Sequence, residues 1–129
     1  MARKQTGNLV TTGVIDLGIY PMSIEVRVVK DFYEDMKSLN ESYNLPAPSR
    51  EDFNEVLAFI VYKPTVVPGT IFLYLNPDSD VPTIVHECIH TANRIVNKID
   101  YSIDPNNDEP YAYLVDYIFK KVYEIFNSR

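Results

Sequence analysis

Two early stretches of the chain alternate apolar and polar residues. Ile15, Leu17 and Ile19 alternate with Asp16 and Gly18, and after Pro21 the residues Ile24, Val26 and Val28 alternate with Glu25 and Arg27. Successive strand side chains point to opposite faces, so the pattern predicts two strands between Leu9 and Val29, broken near Pro21, each with one face buried. The period then changes. Phe32, Met36, Leu39 and Tyr43 fall at helical spacing. This predicts an amphipathic helix on which Asp31, Glu34 and Asp35 form a solvated face. Pro46 and Pro48 cannot continue that helix, and Ser49 followed by Asp52 suits one short capped turn.

Val56–Tyr62 and Thr70–Leu75 are rich in Ile, Val, Phe and Tyr and read as two further strands, with Pro64 and Pro68-Gly69 punctuating the link. A turn over Pro77–Asp80 delivers the chain to a helix start, with Asp80 as N-cap and Pro82 in the first turn. The helix from Val81 to about Lys98 carries Ile84, Val85, Cys88, Ile89, Ala92, Ile95 and Val96, an apolar share that places most of it inside the protein. A loop rich in Asp, Asn and Pro follows over 100–107. A last helix runs from near Asp108 to about Phe126, with Leu114, Val115, Ile118, Val122 and Ile125 facing the core. The order predicts a single α+β domain: a small mixed or antiparallel sheet, then an active-site helix and a C-terminal helix, with Met1–Asn8 as a polar arm.

Composition narrows the function classes. The 129 residues suffice for one hydrophobic core, and 46% apolar with 23% charged residues is the balance of a globular protein. A formal charge of −6 argues against a general nucleic-acid binder, which needs clustered Lys and Arg. One cysteine, Cys88, excludes an intrachain disulfide framework. The first residues make a poor secretory signal, and no apolar run approaches the roughly 20 residues that cross a bilayer. The expectation is a cytoplasmic or particle-associated protein with no membrane and no nucleic-acid partner.

The chemically informative segment is His86-Glu87-Cys88-Ile89-His90, inside the long helix and holding the only two histidines in the chain. At about 100° per residue, positions four apart lie on one helical face, so both imidazoles can approach one metal ion. Glu87 beside them suits a general base acting on zinc-activated water. A catalytic zinc takes three protein ligands, so a third must come from a carboxylate or a thiol. Cys88 lies about 200° around the helix from His86 and points elsewhere. Glu109, at the start of the following helix, is the best-placed carboxylate, with eighteen residues between it and His90.

His-Glu-x-x-His, eighteen residues, then Glu resembles the gluzincin branch of the zincin metallopeptidases. The segment HECIHTANRIVNKIDYSIDPNNDEPYAYLVDY (86–117) also resembles small metallopeptidase-like proteins encoded in bacteriophage genomes. The resemblance covers roughly the last 60 residues. It implies a minimal zincin-like fold, one zinc ion held by His86, His90 and Glu109, Glu87 as general base, and a peptide or protein substrate lying along strand Thr70–Leu75 as an edge. Tyr113, one turn beyond Glu109, is the first choice to stabilise the oxyanion, ahead of Tyr117, Tyr101 and Tyr111. Asp116 or Asp108 would orient a ligating imidazole. The chain departs from the family in lacking material for a second lobe.

Each residue also has a plainer reading. The histidines would be metal-free helix residues, Glu109 a first-turn acid favoured by the helix dipole, Cys88 a small buried apolar group, and the tyrosines packing residues. The rival to a zinc peptidase is therefore a structural or interaction protein, such as a phage virion or assembly component. It would keep the zincin fold with a structural or vestigial metal site, and its polar arm would order against a neighbouring subunit.

Overall fold

The computed structural model describes residues 7–18, 21–99, 104, 106 and 108–129. The elements are β1 (Leu9–Asp16), β2 (Ser23–Val29), α1 (Phe32–Ser42), a short 3-10 helix (Arg50–Phe53), β3 (Ala58–Tyr62), β4 (Thr70–Leu75), α2 (Val81–Lys98) and α3 (Glu109–Asn127). The strands form one mixed sheet in the order β1-β2-β4-β3. β1 and β3 pair antiparallel with their neighbours, while β2 and β4 run parallel.

Strand alternation divides the protein into two apolar layers. On one side of the sheet, Ile24, Val26 and Val28 of β2 and Ile71, Leu73 and Leu75 of β4 pack against Ile84, Cys88 and Ile95 of α2 and Ile118 and Val122 of α3. On the other, Phe72 and Tyr74 of β4 meet Phe32, Met36 and Leu39 of α1. The Phe59 ring stacks on Tyr74 at 4.8 Å between centroids, and Phe32 meets Phe59 edge-on at 5.0 Å. α3 closes over β1 at Gly13, where a Cβ would stand only 2.7 Å from the Ile125 side chain.

The α+β class and element order hold, but three expectations change. Thr70–Leu75 is not an edge: β4 lies between β2 and β3, and residues 71–75 are all buried. Its continuous apolar run is what burial on both faces requires. Asp35 is not on a solvated face, being only 8% exposed. It accepts hydrogen bonds from Arg27 Nε and Nη2, both at 2.8 Å, and from the Tyr74 hydroxyl at 2.6 Å. Glu25, also on β2, accepts from Arg27 Nη1 at 3.0 Å. Burial works against the Arg27 charge, yet these partners hold its pKa above the ordinary arginine value. Third, the minimal zincin-like domain is not borne out, because among the described residues α2 is not built into a three-ligand metal centre.

Of the expected arm Met1–Asn8, residues 1–6 lie outside the described residues. Asn8 is fastened: its side chain donates to the Asp31 carbonyl at 2.8 Å and accepts from the Asp31 amide at 2.6 Å.

A buried charge left without its partner is far more costly than the pair is beneficial. Asp35→Ala is accordingly expected to lower unfolding stability in urea by about 3 kcal/mol. The paired replacement Arg27→Met with Asp35→Leu should recover most of that loss. A double variant as unstable as the single one would show that the ion pair is not what Asp35 contributes.

Candidate functional site

α2 begins as its sequence dictates. Asp80 caps it by accepting from the Thr83 amide at 2.9 Å, and Pro82 occupies the first turn; hydrogen bonding from the Thr83 side chain, and then from its amide, holds the Asp80 carboxyl below its usual range. The buried face carries Ile84, Glu87, Cys88, Thr91, Ala92 and Ile95. His86 and His90 lie on the exposed side, one turn apart, with their Nε2 atoms 3.0 Å from each other.

The third ligand does not join them. Among the described residues, no group of three or more His, Cys, Asp and Glu side chains could hold a metal ion. Helix geometry explains this. α3 meets α2 through Tyr111, whose hydroxyl donates to Asn93 Oδ1 at 2.6 Å, and through buried Leu114 and Ile118. Glu109 and Tyr113 each lie about 200° around the helix from Tyr111, on the outward side. Glu109 is exposed, and Tyr113 is 69% exposed. The gluzincin resemblance, the zinc ion, the assignment as a zinc metallopeptidase and Glu87 as base of a metal-bound water are therefore corrected: the described structure supplies no metal centre on which they could operate.

Of the remaining candidates, Asp116 and Tyr117 are engaged by local contacts within α3. Asp116 pairs with Lys120 at 3.0 Å within α3 and does not orient an imidazole. Asp108 precedes α3 without a side-chain capping bond. Tyr117 lies under the Lys121 ammonium at 5.9 Å. Asp104 closes a turn by accepting from the Asn106 amide at 2.9 Å. Tyr101 lies outside the described residues. Cys88 is fully buried, and burial pushes its thiol up to about 12.

What the structure brings together at this end of the protein is a trough. A groove of about 490 Å³ runs between the approach to β3 and the first turns of α2, lined by Val56, Leu57, Ala58, Pro82, His86 and Glu87. It shares Val56, Leu57, Asp80 and Thr83 with a second groove of about 340 Å³ that also includes Asp78. Among the described residues, the pair is thus lined by three carboxylates, Asp78, Asp80 and Glu87, by the imidazole of His86, and by no lysine or arginine. Leu57 projects at the rim, 68% exposed, and Val81 is 44% exposed nearby in sequence to Asp80 and Pro82. The chain reaches this rim through Glu55, whose φ of 62° lies in the left-handed region, a conformation costing a residue with a Cβ on the order of 1 kcal/mol. Sequence reasoning missed the trough. Leu57 reads as one more apolar residue of a strand, and only the start of β3 at Ala58 leaves it outside the sheet.

Glu87 is the unusual member of the lining. It is only 7% exposed, and burial raises its pKa despite the opposing effect of the His90 and His86 charges. No hydrogen bond or ion pair to its carboxylate is present among the described residues. Neither the known protein families, nor the curated proteins, nor the solved structures yield a match to this chain. Among the described residues, no helix is long and apolar enough to cross a membrane.

Two expectations follow. A carboxyl whose folded pKa is raised favours the fold below its unfolded pKa, near 4.5, and that contribution is lost as pH rises through the folded value. Glu87→Gln should therefore raise the urea midpoint at pH 7, with a difference from wild type that shrinks towards pH 4. A variant less stable at pH 7 would indicate that the carboxylate has a stabilising partner. The Cys88 thiol, buried and un-ionised at neutral pH, should react with a thiol reagent only as fast as the protein unfolds. Rapid labelling of the native protein would contradict its burial.

Proposed function

We propose that this protein is an interaction or assembly module that holds an extended segment of a partner polypeptide in the trough between β3 and α2. The expected partner segment combines apolar and basic residues. The observation that carries the reading is the trough's composition: projecting Leu57, apolar Val56, Ala58 and Pro82, and three carboxylates without a lysine or arginine among them. Exposed apolar surface rimmed by polar groups marks binding sites more often than bare surface does. The mostly acidic lining selects a partner of opposite charge and disfavours acidic ones. This reading continues the assembly role set above as the rival to an enzyme, now without a zincin fold or metal site.

The chemistry also sets what kind of recognition to expect. Apolar side chains of the partner would cover Leu57, and its basic groups would approach Asp78 and Asp80 at the solvent-exposed end of the trough. Contacts of that exposed kind steer association and are weakened by salt.

An array of nine-residue peptides with varied apolar and basic content tests the proposal. Peptides carrying both kinds of residue should be enriched, and Leu57→Asp should weaken their binding by about tenfold or more. Because Leu57 is largely exposed, the same substitution should change folding stability by no more than about 0.5 kcal/mol. Absence of enrichment, or undiminished binding by the Leu57 variant, would refute the proposed site.

A further inference from the structure

Glu87 stands apart from the other acidic residues of the trough. Asp80 is committed to the α2 cap, and Asp78 is exposed at the surface. Glu87 is more than nine-tenths buried, lines the groove, and has neither hydrogen bond nor ion pair at its carboxylate among the described residues. Most of its side chain is withdrawn from water, while its carboxylate oxygens keep an opening to the groove, since the fully buried side-chain oxygen without a hydrogen bond among the described residues is Asn40 Oδ1. The adjacent imidazoles lie on the exposed side of α2 with their Nε2 atoms against each other. The groove is therefore the side from which a partner can reach the carboxylate.

We infer that Glu87 forms the floor of a cation subsite, which takes the guanidinium or ammonium group of a basic side chain from the segment bound in the trough. This inference rests on the interaction-module reading and names the contact that would give it selectivity. The apolar walls suit such a side chain. Leu57, Ala58 and Pro82 line the same groove as Glu87 and would cover the methylene stem, while the charged head reaches the carboxylate. A guanidinium can meet both carboxylate oxygens with two parallel N–H donors, a stronger and more directional contact than a neutral hydrogen bond. A neutral or acidic side chain at that position would leave the Glu87 carboxylate buried and unpaired, so the subsite discriminates by the cost of the wrong ligand.

The test uses the full chain in metal-free buffer, with n-butylguanidinium as probe and n-butylurea as its neutral counterpart, followed by backbone amide NMR. The guanidinium should produce saturable shifts at Leu57, Ala58 and Glu87, with the urea binding about tenfold or more weakly. Glu87→Gln should remove that preference while keeping the wild-type dispersion of the same amide spectrum. Glu87→Asp, which keeps the charge on a shorter arm, should retain a preference for the guanidinium. Equal binding of the two probes, no saturable shift in the wild type, or an unchanged preference in Glu87→Gln would each overturn the subsite. The two readings fail separately. Peptides enriched through Leu57 without a guanidinium preference would overturn the subsite alone, whereas a guanidinium preference without peptide enrichment would support the subsite and overturn the module.

Discussion

The architecture depends on burial of β4 from both sides. Ile71, Leu73 and Leu75 face α2 and α3, while Phe72 and Tyr74 face α1, so a strand with no polar side must be covered twice. That requirement places β2 and β3 on its two edges and helices on both faces of the sheet. It also sets where α2 starts, because the chain leaves β4 at Leu75 and enters the helix at Val81 after one short turn. The trough is a consequence of the same placement. It opens where the start of β3, paired to the end of β4, comes beside the first turns of α2.

Covering the second face brings a polar cluster into the interior. α1 presents Phe32, Asp35, Met36, Leu39 and Asn40 to the sheet, and Arg27 is the β2 residue beneath it. Asp35 answers Arg27 with two hydrogen bonds and takes a third from Tyr74, so a desolvated guanidinium is matched by a desolvated carboxylate. Such a pair adds little net stability over apolar side chains of similar size. It does specify how α1 sits, since a shift along the sheet would break three directional bonds at once. Aromatic contacts among Phe32, Phe59 and Tyr74 tie the same helix to the edge strand.

The contrast between Glu87 and Glu109 shows how helix packing sorts carboxylates that the sequence presents alike. Both are helical, and both lie near the histidines along the chain. Glu87 falls on the face of α2 that turns inward beside the groove, and its carboxylate has no hydrogen bond or ion pair among the described residues. Glu109 falls on the face of α3 opposite Tyr111, and it is solvated. The spacing of four that aligns Glu109 with Tyr113 was legible. So was the stripe formed by Tyr111, Leu114, Ile118 and Val122, which is the side that packs. Reading the two together puts Glu109, Tyr113, Asp116 and Tyr117 outward, away from a shared centre with the imidazoles.

The sequence by itself determined the local structure, because period-two and helical apolar spacing, the Asp80 cap and the proline breaks act over a few residues each. Its element boundaries agree with the structure to within a few positions, and the short turn after Ser49 appears as the 3-10 helix Arg50–Phe53. It also contained the signal for buried Asp35, which occupies the i+3 position of the stripe begun by Phe32, although an acidic side chain there reads as solvated until its partner is known. Only the tertiary structure decided which strand lies inside the sheet, which side of α3 meets α2, and that Leu57 stands beyond the end of its strand. Those outcomes depend on contacts between residues distant along the chain, where local periodicity carries no information about which faces will meet.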